Sequence, residues 1–303
     1  MSPPVAVVHL VRHANGLEPL DAFLASYERY DAGCEHDLVL LCKGFPDADA
    51  LAPVRRRARG LVVHELTIAD AGFDLTAYLA AARELPHERL FFLNSYSELL
   101  APRWLSMLCA PLAGDRAGAA AASGSWASRR SFALSLMRLP NGYHGTLGDR
   151  RLITPALRSV STAPRVGPAR RLARAASDLP GQLATYAGFP SPHLRTNAFA
   201  IGRELLLSLE TGALDSKNAT YRFEAGRGSL TAQLDRRRLT TTVVGRDGVA
   251  RTSASWPDAD VFWQGDQSQL LVADNQTRQY QTGSPAVREA LARFAWGPRA
   301  RPG

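Results

Sequence analysis

Three short clusters and four longer polar strings hold the residue types from which a reaction site could be built. Arg12-His13-Ala14-Asn15-Gly16, Lys43-Gly44-Phe45 and Asn94-Ser95-Tyr96-Ser97 each follow an apolar run. Any turn needs small and polar residues, so each cluster alone also reads as a plain turn. Together, at adjacent strand ends, they outline a ligand pocket, because open parallel sheets bind beyond the carboxyl ends of their strands. The polar strings lie at 191–197, 217–226, 262–267 and 274–280. In Trp263-Gln264-Gly265-Asp266-Gln267 an aromatic stands beside amides and a carboxylate. That combination suits a sugar, whose C–H face stacks on a ring while its hydroxyls bond. The same string also reads as a tryptophan packed beneath a loop.

The elements that must position these residues follow from periodicity. Val5–Arg12 is a continuous run rich in β-branched residues, suited to a buried parallel strand. Residues 17–30 place Leu17, Leu20, Phe23, Leu24, Tyr27 and Tyr30 at helical spacing, with Gly33 as a stop. Asp37–Lys43 is a second strand, 61–66 a third and 90–93 a fourth, while 75–85 is a helix with Asp74 as its cap. Strands alternating with helices predict an α/β fold, a mostly parallel sheet flanked by helices on both faces. Residues 114–128 are Ala/Gly/Ser-rich and read as a short strand and tight loop. Pro155, Pro164 and Pro168 break the middle of the chain, and 170–185 could hold short basic helices.

A chain of 303 residues with 46% hydrophobic and 21% charged residues is ordinary for a soluble globular protein. Its charge is not. Lys+Arg 36 against Asp+Glu 28 gives +8, and only Lys43 and Lys217 are lysine. Seven arginines and no acid fall within 150–174, which accounts for nearly all of the net charge. A local patch on a near-neutral chain argues against nucleic acid as a partner. Cys34, Cys42 and Cys109 are odd in number and lack a C-x-x-C, so no disulfide framework or zinc site is implied. The N-terminus lacks a basic n-region, and no apolar run approaches a membrane span. These features predict a cytoplasmic protein.

Several chemistries drop out. Gly124-Ser125-Trp126 lacks the G-x-S-x-G elbow of a serine hydrolase. Arg12-His13 matches the start of a phosphohistidine nucleophile motif, but Ala14 stands where that motif needs Gly and nothing downstream follows it. No P-loop or dinucleotide glycine fingerprint is present.

The chain resembles the GT-A glycosyltransferases, particularly the family 2-like group of bacterial surface-polysaccharide synthesis. The resemblance rests on the first strand leading into Asn15-Gly16, on Phe23-Leu24-Ala25-Ser26-Tyr27, and on His36-Asp37-Leu38-Val39-Leu40 leading into Lys43-Gly44-Phe45. It continues through Leu93-Asn94-Ser95-Tyr96-Ser97, Pro102-Arg103-Trp104-Leu105, Gly124-Ser125-Trp126 and His193-Leu194-Arg195-Thr196-Asn197. It implies a GT-A-like (Rossmann-like) fold with a nucleotide-sugar-binding half at 1–115. An acceptor-side half follows at 116–296, with a basic insertion at 150–185 and a flexible tail at 297–303. Asn94-Ser95-Tyr96 departs from the family's Asp-x-Asp, whose carboxylates hold Mg²⁺ or Mn²⁺. An amide, a hydroxyl and a phenol offer a hard cation no anionic oxygen. No metal ligands are evident, and the metal, Mg or Mn, stays an open question. Lys43 also stands near the place of the family's uracil-binding Asp.

The resemblance implies transfer of a sugar from a nucleotide-sugar donor to a cell-surface glycan or lipid-linked acceptor, and the departure at Asn94-Ser95-Tyr96 makes a metal-independent reaction the expectation. Fixed cations could then stabilise the leaving diphosphate, with Lys43, His193, Arg195, Lys217 and Arg278 as candidates. Donor binding is expected of Asn15, Lys43, Asn94, Tyr96 and Arg195. Glu224 resembles the family's acidic general base, with Asp266 as the second candidate. His193, Trp263 and Gln267 are expected at the acceptor. The 150–174 patch could rest on anionic lipid at the inner face of the membrane, or be a solvated loop. The alternative to catalysis is a GT-A-like protein that binds a glycan or a partner, for which the missing Asp-x-Asp speaks.

Overall fold

A computed structural model describes residues 4–137 and 168–303. The strands are β1 (Val5–Arg12), β2 (Asp37–Lys43), β3 (Val63–Ile68), β4 (Arg89–Leu93), β5 (Glu98–Leu99) and β6 (Ala117–Ala121). They continue as β7 (Gly124–Ser125), β8 (His193–Leu194), β9 (Ala198–Gly202), β10 (Thr240–Val244), β11 (Ala250–Arg251) and β12 (Val272–Ala273). Eight form one sheet in the order β11-β10-β6-β9-β4-β1-β2-β3. β1 runs parallel to β2 and β4, β2 to β3 and β6 to β10, whereas β9 is antiparallel to both β4 and β6. The mostly parallel sheet flanked by helices, expected from the sequence, is the one observed. β5 with β12, and β7 with β8, make two small ribbons.

β1 is apolar apart from His9 and the terminal Arg12 because both of its faces are covered. Ala6, Val8 and Leu10 enter one hydrophobic core, and Val5, Val7 and Val11 enter the other. The Glu18–Arg29 helix buries Leu20, Phe23 and Leu24 against the second core, and the Asp74–Glu84 helix buries Leu75, Tyr78 and Leu79 in the first. Asp74 is the first residue of its helix rather than the cap, which is Phe73. β6 is Ala-Gly-Ala-Ala-Ala, a poor strand former on propensity alone. Its pairing with β9 and β10 at the sheet centre makes it one, and a Cβ on Gly118 would lie 2.7 Å from the Thr240 carbonyl oxygen.

Residues 150–167 of the expected basic insertion, and so most of the 150–174 membrane patch, lie outside the described residues. From Pro168 to Thr185 the chain is one helix instead of several short ones. The tail at 297–303 is tied down rather than loose. The Gln264 side chain accepts from the Arg301 amide at 2.7 Å and donates to the Arg299 carbonyl at 2.7 Å. The Gly303 amide donates to the Tyr280 hydroxyl at 3.2 Å. Among the described residues no helix is long and apolar enough to cross a membrane.

Candidate active site

The carboxyl ends of β4 and β6 flank the amino end of the antiparallel β9, and those of β1 and β2 lie along the same edge of the sheet. The Asn94 amide, just past β4, donates to the Asn197 carbonyl at 2.9 Å, and the Ala122 amide, just past β6, donates to that of Ala198 at 3.0 Å. The Asn94 side-chain oxygen accepts from the Tyr96 amide at 3.1 Å and from the Ser97 hydroxyl at 3.0 Å. This turn leaves the Tyr96 ring exposed at the strand end. Asn15, in the single helical turn His13–Asn15 after β1, is half-buried and makes no side-chain hydrogen bond among the described residues.

On the β2 side, Lys43 is 1% exposed and its ammonium donates to the Gly72 carbonyl at 2.7 Å, with Asp70 at 3.8 Å. Burial pushes its pKa down, against the opposing pull of Asp70 and Asp74. Asp70 is gripped by both arms of Arg12 at 3.1 and 3.0 Å, and that bond holds its carboxyl below the usual range. Lys43 therefore braces the 70–74 turn, and the structure does not present it to a ligand. Asp74 follows in that turn. Desolvation raises its carboxyl, Lys43 and Arg12 work to lower it, and Glu224 raises it further. Its side chain is exposed, at the first turn of its helix.

Glu224 comes from the other side. It lies near the end of the Lys217–Ala225 helix, which Ser216 caps by accepting the Ala219 amide at 3.2 Å. Its Oε1 accepts from the Thr196 amide at 3.0 Å and the Thr196 hydroxyl at 3.3 Å. Among the described residues nothing donates to Oε2. His193 is buried, and its Nδ1 lies 2.8 Å from the Ser191 carbonyl, which can only accept. Nδ1 therefore carries the proton and Nε2 keeps a lone pair. Burial lowers the His193 pKa and Glu224 opposes that shift, so the imidazole is neutral at neutral pH. Tyr221, one turn before Glu224, has its phenol raised first by burial and then by Glu224, while Arg129 and Arg195 pull it down.

Other expected residues turn inward. Arg195 is buried with its guanidinium 3.9 Å from the Phe262 ring centroid. It donates to Asp274 at 2.7 Å, to the Gln276 side chain at 3.0 Å and to the Ser123 hydroxyl at 3.0 Å. Those bonds occupy the fork that was expected on phosphate. Arg278 is likewise spent on Glu98 at 3.2 Å and the Tyr96 carbonyl at 2.8 Å. Trp263 is buried against Phe262 and donates to the Gln276 carbonyl at 3.0 Å, so its ring is core and not a sugar platform. Gln267 is buried too, accepting from the Trp263 amide and donating to the Thr277 carbonyl. Asp266 is exposed and accepts the Ser268 amide at 2.9 Å, which closes a surface turn. Asp74 and Arg129 lie outside the strings singled out in the sequence, and Thr196 and Tyr221 lie inside them without a role assigned. Lys217, Tyr221 and Glu224 recur at i, i+4 and i+7, a single helix face that could have flagged them.

The divalent metal that the resemblance implies does not fit the residues present. Asn94 Oδ1 is already engaged twice, Tyr96 is a neutral phenol, and no carboxylate stands between them. Among the described residues no three His, Cys, Asp or Glu side chains gather to hold a metal ion.

No protein-family model and no curated protein matches the chain. Among solved structures it aligns with a mannosyltransferase from Pyrobaculum calidifontis in complex with GDP-Man and Mn²⁺, at 14% identity and a TM-score of 0.46. That alignment covers 97% of this chain and 70% of the other. It also aligns with the galactosyltransferase LgtC in complex with donor and acceptor sugar analogues, at 10% identity and a TM-score of 0.38, covering 76% and 70%. S. aureus TarS 1-349 with UDP-GlcNAc aligns at 13% identity and a TM-score of 0.31, over 40% of this chain and 34% of TarS. Likenesses this distant carry no activity and no residue role across to this chain.

Proposed function

We propose that this chain transfers a sugar from a nucleotide-sugar donor to an acceptor hydroxyl, with Glu224 as the general base. The observation that carries the reading is the asymmetry of Glu224, whose Oε1 is fixed by Thr196 while Oε2 has no donor among the described residues. A base needs one oxygen held and one free. In the transfer, the acceptor oxygen bonds to the anomeric carbon as its proton passes to Oε2. The bond from that carbon to the diphosphate oxygen breaks, and its electron pair leaves with the nucleoside diphosphate. The anomeric configuration inverts. The neutral His193 orients the acceptor by accepting a hydrogen bond at Nε2. Asn15, the Asn94 amide group and the Tyr96 phenol line the donor side. The leaving group then meets neutral donors, which act when they are fixed in place before the charge develops. The acceptor is a cell-surface glycan or a lipid-linked one, met in the cytoplasm at the inner face of the membrane.

Glu224→Gln tests this reading. Release of nucleoside diphosphate from a panel of nucleotide sugars should fall at least a hundredfold, while calorimetric binding of the nucleotide stays within twofold of wild type. Unchanged turnover removes Glu224 from the role. The absence of a carboxylate at Asn94-Ser95-Tyr96 favours a second reading, a glycan-binding protein with no transferase activity. Glycan binding with neither nucleotide binding nor turnover is the result that selects it.

A further inference from the structure

Four cations near the strand ends have a carboxylate partner among the described residues. Arg12 and Lys43 share Asp70, Arg195 has Asp274, and Arg278 has Glu98. Arg129 and Lys217 have no carboxylate partner among the described residues. The Arg129 guanidinium lies 4.7 Å from the ring centroid of Tyr221 and 5.5 Å from that of Tyr186, and donates to the Tyr186 hydroxyl at 3.4 Å. The Lys217 ammonium lies 5.9 Å from the same Tyr221 ring. Aromatic faces hold cations in place without cancelling their charge.

We propose that Arg129 and Lys217, gathered on the Tyr221 ring, form an anion-binding subsite beside Glu224 that takes a phosphate or carboxylate group of the acceptor. The subsite rests on the transferase reading and adds the class of acceptor to it. Lys217, Tyr221 and Glu224 share one face of their helix, so the subsite and the free Glu224 oxygen lie on the same wall. Each cation also begins a helix with no acid in its first turn, where the positive end of the helix dipole adds to the uncompensated charge. Two like charges brought to one ring against that dipole are disfavoured until an anion joins them. The carboxylate nearby in sequence, Glu224, has its held oxygen committed to Thr196.

Thr196, which holds Glu224, precedes Asn197, whose carbonyl accepts the Asn94 amide at the end of β4, so this contact of Glu224 leads to the donor-side strand ends. Tyr221 and Lys217 lead away from it along the helix, towards Arg129. A general base stands where donor and acceptor meet, so the Arg129 side belongs to the acceptor. The fitting ligands are glycosyl phosphates and uronic acids. Neutral sugars lack the group that these cations would meet.

Calorimetric titration of the full chain with glucose, glucose 1-phosphate and glucuronate tests the proposal, with UDP and GDP titrated separately. Wild type should bind one of the two anionic sugars at least tenfold more tightly than glucose, as expected for a charge-assisted contact. Arg129→Gln with Lys217→Gln should cut that preference below threefold, and Arg129→Lys should retain part of it, with UDP and GDP affinities within twofold of wild type throughout. Lys217 is exposed, so Lys217→Gln alone keeps the test informative should the Arg129 variant lose its fold. Equal binding of charged and neutral sugars, or a preference that survives both substitutions, overturns the subsite. Loss of UDP or GDP binding in the same variants also overturns it, by giving the anion to the donor diphosphate. An anionic preference in a wild-type chain that binds no nucleotide supports the subsite and contradicts the donor reading instead.

Discussion

Thr196 places two donors on one oxygen of Glu224, a contact 28 positions away in sequence. Resemblance alone marked Glu224 in the sequence, and its role as base is the reading proposed above. Arg195, Trp263 and Gln267 went the other way. Arginine, tryptophan and glutamine suit a ligand and a buried hydrogen-bond network equally well, and residue type does not tell the two apart. Asp74 was read as a helix cap because its desolvation is a tertiary effect. Its raised carboxyl pKa has a consequence for stability. The folded chain holds that proton more tightly than the unfolded chain, so stability falls as pH rises from the ordinary Asp value of 3.8 through the raised one. Asp74→Asn should therefore melt higher than wild type at neutral pH, with the gap closing below about pH 4. Thermal melts across pH check this, and an unchanged or lower melting temperature at pH 7 contradicts it.

At the scale of elements, β1 and β2 were legible to the residue because buried parallel strands are written as unbroken apolar runs. The Ala48–Arg57 helix was not, since Pro53 sits inside it and only Leu51 and Val54 of its residues are buried. The Asn275–Thr282 helix shows what the polar string 274–280 is for. Asp274 caps it by accepting the Thr277 amide at 2.8 Å, and Arg195 ties that cap to Ser123 at the end of β6. Arg195→Met should strand the Asp274 carboxylate, which is 1% exposed, and cost about 3–5 kcal/mol. Adding Asp274→Asn should recover part of the loss, because the amide keeps the cap acceptor without the buried charge. Urea denaturation of both variants measures it. A single variant as stable as wild type would mean that the buried pair ties nothing down.

One buried side chain sets a property of the whole molecule. His9 lies inside β1, stacked on Phe23 at 3.8 Å between ring centroids, with neither ring nitrogen hydrogen-bonded among the described residues. Burial lowers its pKa from 6.5 to about 3. Below pH 6.5 the unfolded chain takes up a proton that the folded chain refuses, so stability is lost as pH falls through that window. The loss reaches about 5 kcal/mol near pH 3, at roughly 1.4 kcal/mol per pH unit. His9→Leu should shift the acid-unfolding midpoint downward, and an unmoved midpoint would contradict this. The same scale settles the +8 net charge. Much of the excess falls in 150–174, whose first part lies outside the described residues. Without a carboxylate at Asn94-Ser95-Tyr96 for a metal, nucleotide recognition is the most exposed part of the account. Titrating wild type and Glu224→Gln with UDP and GDP, with and without Mn²⁺, tests it most directly. The account predicts saturable binding of at least one nucleotide, equal in the two proteins and unchanged by Mn²⁺. Binding of neither nucleotide under any condition would contradict it.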